Sequence, residues 1–173
     1  VENGATIQTL FLEVGRENGG TGTATINGPT TVVNVTNDTG RFSGEFDFEA
    51  GFVRVGREPG SSGTLNVENG ARLFIGPGQT TNTDTVGSGL QIGRLGGSSG
   101  TVVINGNGSI IEIVDTNIPA AGQFGTFVQI GRIGDGTMTV SNDGTFSGTT
   151  VSGSVTVARG NFDGSVGSTT GLL

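Results

Sequence analysis

The chain has 173 residues, of which 32% are hydrophobic, 13% are charged and 35 are glycine. Each interior glycine costs a helix about 1 kcal/mol, so helical bundles are excluded, and a core drawn from so few apolar residues must be thin or repetitive. Eight Arg stand against 15 carboxylates, a net charge of −7, and Lys, His, Cys, Tyr and Trp are all missing, which removes the His base, the Cys or Lys nucleophile, Cys/His metal clusters and disulfides, and speaks against a nucleic-acid partner.

Read in chain order, one phrase recurs. It opens at Val14-Gly15-Arg16 and ends at Asn27-Gly28, then returns as VGREPGSSGTLNVENG from Val55, IGRLGGSSGTVVINGNG from Ile92 and IGRIGDGTMTVSNDG from Ile130. A worn fifth copy starts at Val157-Ala158-Arg159-Gly160. Repetition at this period is the signature of stacked architectures and outranks local propensity.

Each copy is expected to begin with a strand ending in Val/Ile-Gly-Arg, so that repeat units start near 12, 53, 90, 128 and 155 of a single domain spanning 1–173. A Gly/Ser corner follows, then a second strand in which Ala24 and Ile26, Leu65 and Val67, Val102 and Ile104, and Met138 and Val140 share one face by the period of two. Thr23 and Thr25, Thr64 and Asn66, Thr101 and Val103, and Thr137 and Thr139 take the other face. One face is built for burial. Asn/Asp-Gly dipeptides, which favour positive φ, then turn the chain into a third strand at 31–35, 71–75 and 109–114.

Short strands repeated with one apolar phase cannot form a core singly but bury that face by stacking on their own copies. The expected fold is therefore all-β, a right-handed parallel β-helix of four to five units with variable side arms. An antiparallel β-sandwich is the alternative, and it does not explain why corner and strand recur in one order. Arg16, Arg57, Arg94 and Arg132 are 41, 37 and 38 residues apart, and Arg159 follows after only 27. The short interval reads as the loss of an arm, which favours one large coil per repeat over two small ones. The arms are assigned to 37–50, 76–89 and 115–122.

The Gly-x-x-Gly-Ser-x-Gly-Thr-x-x-Val-x-Asn-Gly style of these copies, over positions 12 to 160, resembles the passenger domains of bacterial autotransporters and related exported β-helix proteins. The aromatic-rich translocator barrel of that family is absent from this sequence. The resemblance implies a segment of a longer secreted or surface-displayed protein, serving as an adhesin or stalk, whose partner is a cell-surface glycan or protein receptor. Such folds also carry polysaccharide lyases and hydrolases, so fold alone does not assign function.

The residues themselves offer three places for chemistry. The corner column Arg16, Arg57, Arg94 and Arg132 would suit anionic glycans, but each guanidinium also has carboxylates near in sequence, such as Glu17, Glu58 and Asp135, and a structural role is the simpler reading. The segment 40–49 places Glu45, Asp47 and Glu49 on one side of a strand and Phe46 and Phe48 on the other; with Asp38 and Arg41 it is where a ligand, a calcium ion or a glycosidase-like carboxylate pair would sit. Calcium alone among metals fits the oxygen ligands available, at Asp38, Asp47 and Glu49, at Asn82 and Asp84, at Asn142 and Asp143, or at Asp163, yet none repeats in register. These read first as Asx turns. The Thr face would suit an ordered water layer or a flat glycan; Asn66 and Val103 interrupt it, and Thr is favoured on any exposed β face.

The expectation is a non-enzymatic extracellular β-solenoid, structural or adhesive, without a cofactor. Two rivals are a carbohydrate-binding or carbohydrate-cleaving β-helix and a self-assembling filament subunit joined through its solenoid ends. No run of about 18 apolar residues is present, so this segment is not expected to insert into a membrane.

Overall fold

The computed structural model describes residues 1–36, 51–76, 88–115, 126–150, 153–157 and 171–172. Among these, every regular element is a strand and none is a helix. Three five-stranded sheets account for all fifteen strands. The first sheet orders β1 (Thr6–Thr9), β4 (Val32–Val35), β7 (Arg72–Ile75), β10 (Ile110–Asp115) and β13 (Thr145–Thr150). The second holds β2 (Phe11–Val14), β5 (Phe52–Val55), β8 (Gly89–Ile92), β11 (Thr126–Ile130) and β14 (Gly153–Val157), and the third β3 (Thr21–Asn27), β6 (Ser62–Glu68), β9 (Ser99–Asn105), β12 (Asp135–Ser141) and β15 (Gly171–Leu172).

Each strand pairs in parallel with the strand three further along, so the chain visits the three sheets in turn before lying over itself. Every recorded strand pairing is parallel, which sets aside the antiparallel sandwich. One repeat is thus one three-strand coil. The connections from the first sheet to the second are residue 10 between β1 and β2, then 36–51, 76–88 and 116–125 in successive coils, but only 151–152 between β13 and β14, and this last shortening accounts for most of the short Arg interval.

The apolar phase read from the sequence places the core. Ala24, Leu65, Val102 and Met138 stand in direct register across β3, β6, β9 and β12. Leu65 and Val102 are fully buried and Met138 is nearly so. The second sheet contributes Val14, Val55, Ile92 and Ile130, and the first Val33, Leu73 and Ile111 beside Val35, Ile75 and Ile113, all in one cluster. Full burial of such a side chain is worth about 1.5–3 kcal/mol, and the columns multiply this along the stack. In the third sheet Val140 is the exception. It holds its column position opposite Ile104 but is 44% exposed, because among the described residues β15 covers only Gly136 and Thr137 of β12.

The corners between the second and third sheets are equally repetitive. Gly15, Gly56, Gly93 and Gly131 all adopt positive φ, between 66 and 69°. The reason is close approach as well as turn geometry: at Gly56 a Cβ would overlap the carbonyl oxygen of Ser99 in the next coil. The Asn/Asp-Gly corners behave as their composition predicts. Asn69 and Asn142 have positive φ, and their side-chain amides donate to Asn27 Oδ1 at 2.8 Å and Asn105 Oδ1 at 2.7 Å in the coil before.

Candidate functional site

The outer side of the second sheet is where polar chemistry collects. Its inward positions are apolar, so alternation turns the residues between them outward. Glu13, Arg54, Gln91 and Gln129 follow one another in register across β2, β5, β8 and β11. An outward column on a strand is normally wet, yet Arg54 is 6%, Gln91 4% and Gln129 9% exposed. Burial of such groups requires partners, and they supply one another. Arg54 donates through Nη1 to Glu13 Oε1 at 3.0 Å and through Nε to Gln91 Oε1 at 3.3 Å, and Gln91 Nε2 donates to Gln129 Oε1 at 2.9 Å.

An aromatic column runs beside this polar ladder. Phe11, Phe52, Gly89 and Phe127 occupy successive rungs. Gly89 is the gap that lets Phe127 lean down, since a Cβ there would lie 2.6 Å from the Phe127 ring. The Phe52 and Phe127 rings consequently meet at 5.5 Å between centroids, with the Arg54 guanidinium 5.2 Å from the Phe52 centroid.

The predicted Arg column closes the edge of this face. Backbone bonds continue round the corner: Arg57, Arg94 and Arg132 donate their amides to Gly15, Gly56 and Gly93 of the coil before, at 2.9–3.0 Å. These residues are therefore held about one strand spacing apart, about 4.8 Å. Arg16 Nε, Arg54 Nη1 and Arg57 Nη1 all reach the Glu13 carboxylate, at 3.1, 3.0 and 3.1 Å. Arg57 Nε also lies 3.2 Å from Glu58 Oε1, close enough for Coulomb attraction though not aligned as a hydrogen bond.

Two of the carboxylates expected to serve the column, Glu58 and Asp135, divide: Glu58 pairs with Arg57, whereas Asp135 takes its place in the β12 register opposite Ser99. The central acceptor is Glu13, which sequence reasoning missed. In other copies its rung is Arg54, Gln91 and Gln129, so an identity-based comparison of repeats hides it; asking which rung stays polar while changing type would have found it.

Comparison with protein families, with curated proteins and with solved structures finds no match.

Carboxylates and cations are unevenly shared along the edge. Glu13, Glu17 and Glu58 belong to the first two coils; in the third and fourth, the rung of Glu13 is Gln91 and Gln129, and the residue after each corner Arg is Leu95 and Ile133. The Arg residues persist. Burial, and then repulsion from Arg54, Arg57 and Arg132, lowers the Arg94 pKa from its ordinary value, and Glu58 opposes this only in part.

Asp38, Arg41, Glu45, Asp47 and Glu49 lie outside the described residues, as do Asn82, Asp84, Arg159 and Asp163. Asn142 and Asp143 form a left-handed turn, with φ of 51 and 62°, whose amide is committed to Asn105. Among the described residues no three His, Cys, Asp or Glu side chains gather as metal ligands. Thr23, Thr64, Thr101 and Thr137 share one rung of the third sheet, with Asn66 and Val103 interrupting the neighbouring column. Arg72 sits apart on the first sheet, in an exposed pair with Glu112 at 3.0 Å.

Proposed function

We propose that this chain is a right-handed parallel β-helix from an extracellular or surface-displayed protein, acting as a rigid spacer or adhesive rod without enzymatic turnover. The carrying observation is the unbroken register of Ala24, Leu65, Val102 and Met138, with the same inward and outward assignment in each coil. A core that is the same in cross-section at every level resists bending and scales in length with coil number, which is what a spacer requires. The buried Glu13–Arg54–Gln91–Gln129 ladder supports the same reading: its groups are spent on one another, along the direction of stacking. A glycan or protein receptor at the cell surface is the proposed partner, and no cofactor is required.

The rival is a carbohydrate-cleaving β-helix. Incubation of the whole chain with neutral and anionic polysaccharides, followed by measurement of new reducing or unsaturated ends, is expected to give none above background. Cleavage that disappears in Asp47→Asn would overturn the non-enzymatic reading.

A second reading, a filament subunit, is favoured by the exposed apolar residues at the two ends of the described stack: Ile7 and Phe11 at one, Val140, Val155 and Val157 at the other. Parallel strand edges with such residues template further pairing. Concentration-dependent fibres in electron micrographs, suppressed by Val155→Lys, are the outcome this reading requires; a monomeric sedimentation profile at high concentration would remove it.

A further inference from the structure

We propose that the edge around Arg94 is a binding site for a linear anionic polysaccharide, carboxylated or sulfated, with Arg94 as its principal donor. The inference rests on the adhesive reading above and specifies its ligand. Five of the eight Arg residues, Arg16, Arg54, Arg57, Arg94 and Arg132, gather at this one edge of a chain whose net charge is −7. The first three are held by Glu13. Arg94 is not so held: among the described residues no carboxylate or carbonyl forms an ion pair or hydrogen bond with its guanidinium, and its Nε is buried without a hydrogen-bond partner.

A half-buried guanidinium beside three others is an electrostatically costly arrangement, and an arriving oxyanion relieves it. The planar fork of Arg matches carboxylate and sulfate with two parallel bonds. The backbone register at Gly15, Gly56 and Gly93 fixes Arg57, Arg94 and Arg132 in succession, so Arg94 sits within a line of cations along which a polymer with repeated charges can lie. The observations favour a glycan over nucleic acid, because the ring nearest the cations, Phe52, is 4% exposed and gives bases no stacking platform.

The test is calorimetric titration of the whole chain at low salt with an oligouronate, a sulfated oligosaccharide, a neutral glucan oligomer and single-stranded DNA. Binding of the oligouronate or the sulfated oligomer, and not of the glucan, is expected, and which of the two binds tells carboxylate from sulfate. Arg94→Gln should weaken it by about tenfold or more, Arg94→Lys by less, and Arg72→Gln, on the first sheet, should leave it unchanged. Thermal melts guard against misfolding: Arg94→Gln should melt no lower than the parent, and the bound anion should raise the parent's Tm. Equal affinity in Arg94→Gln and the parent, saturation by neither anion, or Arg94-dependent binding of DNA instead would overturn the proposal. Its failure is separable from that of the spacer reading, which falls only if the same mixtures show cleaved glycan.

Discussion

Gly56→Ala is expected to destabilise the fold by more than about 4 kcal/mol, the range reserved for a named structural conflict. Two costs add. An L-residue at φ +69° costs about 1–2 kcal/mol, and the new Cβ would also overlap the Ser99 carbonyl of the next coil, which is backbone and cannot rotate away. Gly19 separates the two, since it has φ +72° with nothing within 4 Å of its Cβ position. Gly19→Ala should therefore cost only the conformational part, about 1 kcal/mol. Urea melts of both variants measure the difference; near-equal losses would mean that the corners of adjacent coils are not in contact.

The second large effect is expected at Glu13, whose carboxylate pairs with three guanidiniums, accepts a hydrogen bond from Arg54 and is 5% exposed. Glu13→Gln keeps the shape and one acceptor but removes the charge, leaving Arg54 buried beside an amide. Breaking a buried pair from one side costs about 3–5 kcal/mol, and the exposed Arg16 contributes little of it. The double variant Glu13→Gln/Arg54→Gln should recover most of the loss, because it continues downward the amide ladder that Gln91 and Gln129 already form. If the double variant is no more stable than the single one, buried charge is not the source of the cost. Denaturant midpoints for the three chains decide it.

Sequence reading reached the third sheet almost completely, and for a physical reason. Its strands alternate Thr23-Ala24-Thr25-Ile26 and Thr64-Leu65-Asn66-Val67 between small polar and aliphatic positions at the same phase, and both burial and register follow from that phase. The third-strand positions 31–35, 71–75 and 109–114 likewise match β4, β7 and β10 to within a residue at either end. The outer side of the second sheet was not legible. Val53-Arg54-Val55 and Leu90-Gln91-Ile92 look like strands with one wet face, and nothing in the alternation tells that Arg54 and Gln91 are buried. The hydrogen bonds that satisfy them there come from neighbours one coil away, contacts between residues roughly forty positions apart along the chain. Val140 teaches the converse: its phase is right, but a column position is covered only where another rung lies above it.

The two-residue link at 151–152, set against 36–51, 76–88 and 116–125, has an evolutionary corollary. The passage from first sheet to second is a socket where sequence can lengthen or vanish while the ladders on both sides keep their phase, so novelty at that socket is nearly free of folding consequences. Whole turns, by contrast, are gained or lost only as complete units, because a partial insertion would shift every rung above it onto the wrong face. Such a molecule diversifies by swapping ornaments and changes stature by duplication, two kinds of variation that proceed without interfering with each other.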